Sequence, residues 1–524
     1  MDPAIQSLVD ISGSQAALKA RAEMMLERAR WAGEVFQRYD RARTYAIAEA
    51  VARAAHAKAG EYAEWAVRET GFGVAAHKKL KNEQTSTHLV AHYRDWDFVN
   101  PRLDAAAKIV EIPRPAGVIF ALTPSTNPVS TVYFKALIAL MTRNAIVISP
   151  HPAARACCVD AVRTLSEAAA AAGAPEAVIQ VVDNPSIPLI DQFMQSPKTD
   201  LILATGGTAM VRAAYSSSNP ALGVGPGNAP VYVDASADLK EAARAIVESK
   251  SFDNSVLCTN ESVLITTEAV ERALRKELEK AGCHVCSEAE TQALRRYLFH
   301  ERGFNVEAIG RDAAWIAGEA GFKVAGKVKV LLAPIALIGV DEPLSREKLC
   351  PVLGFYVANS KAQALAQARG LLRLAGAGHS AAIHCRDPRT VIDYSAAVEV
   401  YRVVVNAPCS QAAAGIGTNL APTYTVGTGF FGRSALGENL GPQHLVHWTR
   451  VAWPKDAAPG IDAAALSALA HPGPLPEAPS DGVPGKTRLK LATPRPAAQG
   501  GSYHDLREEI RRIIAEELRA VLKE

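Results

Sequence analysis

Of the eight cysteines in the chain, one stands where a nucleophile would. In Phe252-Asp253-Asn254-Ser255-Val256-Leu257-Cys258 a polar turn delivers a single thiol just ahead of a strand-like run. A thiolate adds readily to a carbonyl carbon, and the adduct places negative charge on the carbonyl oxygen, so such a thiol needs hydrogen-bond donors close by. An earlier loop, Ala121-Leu122-Thr123-Pro124-Ser125-Thr126-Asn127-Pro128, follows another strand-like run and offers a side-chain amide in Asn127. A third segment, Arg346-Glu347-Lys348-Leu349-Cys350-Pro351, carries a carboxylate. Taken singly, each has an ordinary reading. A lone cysteine at a strand start is usually packing, an asparagine in a turn usually caps the next helix, and most glutamates are solvated.

The other candidates carry less. Cys283-His284-Val285-Cys286 has the spacing of half a zinc site, but no second cysteine pair and no suitably spaced histidines follow, so it reads as packing and no metal is expected. Cys157 and Cys158 fall in a helical stretch, and Cys350 and Cys385 flank or sit in strands, which suits core positions. Cys409, in Asn406-Ala407-Pro408-Cys409-Ser410-Gln411, stays open between core and site, and so do His379 and His384, for which a core or surface place is the plainer reading.

These residues need a framework, and the length of 524 residues calls for two substantial domains plus a tail. Apolar residues make up 48% and charged residues 21%, a globular composition. The net charge of +3 comes without any long basic block, which argues against a nucleic-acid partner. The N-terminus has no basic region leading into an apolar one, so a cytoplasmic protein is expected. The longest apolar stretch, Val330 to Val340, is broken by Pro334 and is too short for a membrane span; it reads as a buried strand pair. Eight cysteines in so long a chain, without the dense spacing of a disulfide scaffold, point to the same reducing compartment, where thiols stay free.

Residues 4 to 95 read as helices, with Ile47, Val51 and Ala54 at spacings of three and four. From Pro115 strands and helices alternate: Gly117 to Leu122, Ala145 to Ser149, Val178 to Val182, Leu201 to Ala204 and Val231 to Asp234. That pattern predicts a parallel sheet with ligand loops at its carboxyl ends, here Thr123 to Pro128 and Thr205 to Thr208. A second series follows: Glu261 to Ile265, Ile335 to Val340, Gly354 to Val357, Ser380 to His384 and Arg402 to Asn406. Residues 454–502, rich in Pro, Ala and Gly, read as a disordered linker, and 503–524 as an amphipathic helix with Leu506, Ile510, Ile513 and Leu518 on its apolar stripe.

The three chemical segments, in the family's order over residues 100–452, resemble the aldehyde dehydrogenase superfamily: the asparagine loop at Asn127, F-x-N-x-x-x-C at Cys258, and E-x-x-x-P at Glu347. The resemblance implies an α/β fold with a helical lead-in and Rossmann-type cofactor domain over 1–238. A catalytic domain over 239–431 and a return to the cofactor domain or an oligomer contact over 432–453 would follow. It also implies catalytic roles for Cys258 and Asn127 and a grip on the nicotinamide ribose for Glu347. Thr205, Gly206 and Gly207 would form the phosphate-proximal turn. Ser149 and Pro150 would stand near the adenosine ribose, and Thr123, Pro124, Gly225 and Gly227 would complete the cofactor surface. NAD is the implied cofactor, with NADP as the alternative because Ser149 replaces the lysine common in hydrolytic relatives.

Hydrolytic members activate water with a glutamate in an E-L-G-G-K-type segment; here that stretch reads Leu222-Gly223-Val224-Gly225-Pro226-Gly227-Asn228-Ala229-Pro230, and no acid occurs between Arg212 and Val233. The G-x-G-P-G-N-x-P run, the Thr-Pro-Ser-Thr-Asn-Pro loop and Thr428 through Asn439 look like the CoA-acylating branch. That branch implies coenzyme A as acceptor, a short aldehyde such as propionaldehyde or acetaldehyde, and a homo-oligomer. The tail resembles an encapsulation peptide, which would place the enzyme in a bacterial microcompartment beside shell or cargo proteins; a helix docking on its own body is the alternative. A hydrolytic dehydrogenase and an inactive cargo or scaffold protein are the rival functions.

Overall fold

In the computed structural model the described residues are 13–301, 303–456 and 477–479. Five strands, β3 (Val118–Leu122), β4 (Ala145–Ser149), β5 (Ile179–Val181), β6 (Leu201–Thr205) and β7 (Ala221–Val224), form a wholly parallel sheet in the spatial order β5-β4-β3-β6-β7. The order reverses between β3 and β6, and the two loops expected to face a ligand leave the carboxyl ends of those two strands. The helix Pro128–Met141 follows β3; every one of its residues is buried, and Pro128 suits its first turn because that N–H would have no helical partner. This sheet, the helices Gln15–Phe36, Arg41–Ala57 and Ala59–Thr70, and Phe252 and Leu257 share one hydrophobic core.

The second sheet has seven parallel strands: β8 (Ala229–Val233), β9 (Glu261–Thr267), β10 (Cys283–Val285), β13 (Val330–Pro334), β14 (Val352–Ala358), β15 (Ala381–His384) and β16 (Val403–Val405), ordered β10-β13-β14-β9-β8-β15-β16. Apolar cores cover both of its faces. A small hairpin, β11 (Phe299–His300) with β12 (Gly303–Phe304), stands apart from it. An antiparallel sheet of β1 (Arg102–Asp104), β2 (Ile109–Pro115) and β17 (Val446–Ala452) completes the framework.

Three expectations need correction. β8, grouped by sequence with the first series, pairs with β9 and β15, so the crossing between sheets runs through Gly225–Asn228, ahead of the boundary drawn at 238. The stretch Val330 to Val340 is one strand, β13, which ends at Pro334, and Ile335 to Val340 is loop. A short apolar run flanked by proline cannot declare by period alone how many strands it holds. β7 was missed because Leu222-Gly223-Val224 is short and glycine-containing; Gly223 is required there, since an added Cβ would lie 2.7 Å from Val211. The amphipathic helix at 503–524 lies outside the described residues. Of the stretch read as linker, Ala478 packs against the first core.

Candidate active site

The helix Leu239–Ser251 begins at Asp238, whose carboxylate accepts from the Glu241 N–H at 3.2 Å, and packs Ala242, Ala243, Ile246 and Val247 into the second core. It stops at Phe252 because the next three residues turn the other way. Asp253, Asn254 and Ser255 have φ of 50°, 50° and 67°, a left-handed run costing roughly 1–3 kcal/mol per residue. Side chains hold this run in place. The Asp253 carboxylate accepts from the Val74 N–H at 2.7 Å, from Lys78 Nζ at 3.0 Å and from Lys81 Nζ. Its own N–H donates to His77 Nδ1 at 2.9 Å, and Asn254 Nδ2 donates to the Gly310 carbonyl at 2.9 Å. On the far side of the thiol, Asn260 Nδ2 donates to the carbonyls of Ser255 and Leu257, and Lys250 Nζ donates to Asn260 Oδ1 at 2.5 Å.

Cys258, clamped between these two ties, lies at the amino end of β9, as Glu347 lies ahead of β14 and Gly225–Gly227 ahead of β8. The first sheet contributes carboxyl-end loops and the second sheet amino-end loops to a single cavity of about 260 Å³. Pro124, Asn127, Thr205, Gly206, Gly207, Gly225, Cys258 and Glu347 all line it. Thr123, Ser149, Pro150 and Gly227 do not. Thr123 and Ser149 are buried side by side, the Thr123 N–H donating to the Ser149 carbonyl at 3.1 Å, and it is His151 beyond them that reaches the cavity. Gly227 supports it from behind: its N–H donates to Glu347 Oε1 at 3.1 Å. A larger cavity, about 1120 Å³, lies across the Phe252–Asn254 turn and does not include Cys258.

Asn127 does not cap its helix with its side chain. Its Oδ1 instead accepts from Lys81 Nζ at 2.5 Å, which leaves the amide N–H₂ as the donor end; Nδ2 also approaches Thr126 Oγ1 at 3.3 Å. Burial pushes the Cys258 thiol up to about 12, and the Glu347 carboxylate adds to that, while Arg402 and Lys81 work in the opposite direction. Burial also raises Glu347 to about 7, against the Gly227 N–H and the charges of Lys250 and Lys348. The Val224–Asn228 crossing carries no acid, as expected, but the cavity is not free of carboxylates because Glu347 lines it. A dinucleotide fits this edge: a Cβ added at Gly206, Gly207 or Gly225 would meet nothing within 4 Å, so these glycines leave the backbone open to close approach by a phosphate.

A family model described as the aldehyde dehydrogenase family matches residues 3–291. The chain belongs to the aldehyde dehydrogenase family. It is 39% identical over 398 residues to the aldehyde-alcohol dehydrogenase of Clostridium acetobutylicum, a match covering 75% of this chain and 46% of that protein. The chain therefore spans about half the length of the first of its curated relatives. An acetylating aldehyde dehydrogenase from Geobacillus thermoglucosidasius superposes with a TM-score of 0.82 at 36% identity, over 84% of this chain and 98% of that one. A propionaldehyde dehydrogenase from the fucose-utilisation microcompartment of Clostridium phytofermentans gives 0.76 at 27% identity, over 83% and 98%.

Within this member of the family the remaining candidates settle into place. All eight cysteines are free; seven are buried, and Cys258 alone is half-buried with access to the cavity. Cys409 is in the core, its N–H donating to Glu261 Oε1 at 3.3 Å. Burial pulls His379 down to about 3 and His384 to about 4, so both are neutral core residues near pH 7. Cys286 and His284 do gather a third group, Glu290, within 4.8 Å. Glu290 is already engaged in the capping box of the helix Glu288–Leu298, where it accepts from the Ser287 N–H at 2.7 Å. Sequence reasoning missed Lys78, Lys81 and Asp253. Charged residues in a helix such as Ala75–Glu83 read as a solvent face, and nothing in their spacing marks them as buried.

Proposed function

We propose that the protein oxidises a short aliphatic aldehyde, such as propionaldehyde or acetaldehyde, with NAD as acceptor, and passes the acyl group from Cys258 to coenzyme A. The reading rests on one observation: the one thiol that reaches the cavity, half-buried Cys258, shares it with a side-chain amide donor, while the neighbouring crossing loop carries no acid. Likeness to the Geobacillus acetylating enzyme supports it.

In this scheme the Cys258 thiol releases its proton to solvent and its sulfur bonds the aldehyde carbon, moving the carbonyl π electrons to oxygen. The Asn127 amide and the Cys258 N–H hold that oxyanion. When bound, the nicotinamide would accept the hydride; Glu347 would hold its ribose, and Gly206, Gly207 and Gly225 would leave room for its phosphates. Loss of hydride leaves a thioester on Cys258. A CoA thiolate then attacks the acyl carbon, Asn127 again steadying the oxyanion, and the Cys258 thiolate leaves; exchange between thioesters is nearly balanced and needs no water-activating base.

The test is a panel of C2 to C4 aldehydes with NAD or NADP, with and without CoA, followed by absorbance of the reduced cofactor, with mass spectrometry of enzyme trapped without CoA. An acyl adduct on Cys258 released as acyl-CoA is the expected result; an adduct elsewhere, or none, overturns it. A second reading, hydrolysis, draws on Glu347, a carboxyl group titrating near 7 in the same cavity. Release of free carboxylate without CoA, abolished by Glu347→Gln, would favour it.

A homo-oligomer is also proposed: β17 is an edge strand whose last four residues, Thr449 to Ala452, are exposed, a natural template for a second copy. We further propose the C-terminal segment as an address to a microcompartment lumen, by analogy with the Clostridium phytofermentans enzyme. Removal of residues 457–524 should abolish co-localisation with shell proteins at full activity; loss of solubility or activity would point to docking on the body instead.

A further inference from the structure

Lys81 is buried beneath the site, and its ammonium bridges two groups that matter to it: Asn127 Oδ1 at 2.5 Å and the Asp253 carboxylate. The two contacts have different consequences. An amide whose oxygen is held by a cation can present only its N–H₂ end to the cavity, which removes the flipped orientation that would offer an oxyanion a lone pair. The Asp253 contact fixes the left-handed turn leading to the thiol. Lys78, the neighbouring buried cation, shares Asp253 and donates its other bond to the Thr126 carbonyl at 2.9 Å, so it supports the same turn without touching the Asn127 amide. Charge reaches the thiol too: Lys81 is among the groups that lower Cys258, and Cys258 in turn raises Lys81, which burial pulls down to about 7.

We propose that Lys81 is a positioning residue of the acyl-transfer site, orienting the Asn127 amide toward the oxyanion and lending its charge to the Cys258 thiolate. The inference rests on the proposed roles of Cys258 and Asn127. It assigns a duty to a helix, Ala75–Glu83, that lies outside both sheets.

The experiment compares Lys81→Met, Lys78→Met, Asn127→Ala and the Lys81→Met/Asn127→Ala pair in the full-length chain, reading kcat and KM for propionaldehyde. Alkylation of Cys258 by iodoacetamide at fixed pH and thermal unfolding complete the set. Lys81→Met should lower kcat about 100-fold, with KM changed far less, and slow alkylation by about tenfold, one pH unit in the thiol. In the Asn127→Ala background the same change should cost much less in kcat, because the amide it orients is gone. Lys78→Met should lower the melting temperature without the alkylation effect. Equal kcat and alkylation losses for both lysine variants, in proportion to lost stability, would overturn the proposal, as would fully additive losses in the pair. Should Lys81→Met not fold, Lys81→Gln, which retains a donor for Asn127 but no charge, is measured instead: slowed alkylation with kcat partly retained supports the proposal, and unchanged alkylation overturns it. Wild-type enzyme that forms no acyl adduct on Cys258 would defeat the proposed function; a normal adduct formed equally fast in Lys81→Met would defeat this inference alone.

Discussion

Gly227 lies against the main chain of Cys258 so closely that a Cβ on it would stand 1.8 Å from the Cys258 carbonyl oxygen. Two loops that precede different strands of the second sheet are thereby stacked without a side chain between them, and the same glycine's N–H holds Glu347. Gly227→Ala must move either the thiol loop or the crossing loop. A displacement near 1 Å at a reacting group costs on the order of 100-fold in rate. Steady-state kinetics should show that loss in kcat for the acylation reaction, with the circular dichroism spectrum of the variant unchanged.

Asn127→Ala removes the amide donor while leaving Lys81 its contact with Asp253. Loss of one such donor is expected to lower kcat by roughly 100- to 1000-fold. KM for the aldehyde should change much less, because the amide acts on charge that develops only in the adduct; a loss confined to KM would assign Asn127 to substrate binding.

The pH dependence follows from Glu347, which titrates near 7 and whose negative charge opposes ionisation of Cys258. Below that pH the carboxyl is protonated in the wild type and differs little in charge from glutamine. Above it, the wild-type carboxylate holds the thiol up and the glutamine does not. Glu347→Gln should therefore alkylate faster than wild type above pH 7, by about tenfold for one pH unit of relief, and at the same rate below pH 6. Rates measured from pH 5.5 to 9 would show the two curves separating near 7.

Asp253 is buried at the centre of two ammonium groups. Burial works against its charge, yet Lys78 and Lys81 keep its carboxyl below the ordinary range. Asp253→Asn leaves both cations without a counter-ion, a change that costs about 3–5 kcal/mol in buried pairs. The stabilisation is present at neutral pH and is lost on acidification through that depressed value, so the gap between variant and wild type should narrow in acid. Urea unfolding at pH 7 and at about pH 2.5, below the ordinary carboxylate range, measures both.

Much of the framework could be read from residue order. β3, β4 and β6 are short, wholly or almost wholly apolar and followed by helical stretches, and both ligand loops sit where a parallel sheet puts them. Cys258, Asn127 and Glu347 were legible as a set through resemblance, and the fold gathers them into one cavity. The failures have physical causes. β8 has the same apolar character as its predecessors, and only hydrogen-bond register tells which sheet it joins. Ser149 is buried as the last residue of its strand, and it is His151, two residues on and outside the strand, that reaches the cavity. The charges of Lys78, Lys81 and Asp253 become buried only when the helix Ala75–Glu83 folds against a turn well over a hundred residues later, a pairing no local pattern encodes.

The three left-handed residues ahead of Cys258 also constrain how the site can change. Glycine would relieve the steric cost at Asn254, yet it would cut the tether to Gly310 and free the unfolded chain, so what is gained in comfort is lost in order. Branched side chains are shut out of these positions altogether. The stretch ahead of the sulfur behaves as a cocked spring whose latch is made of polar side chains. Loosening that latch would leave the thiol chemically intact but aimed at nothing.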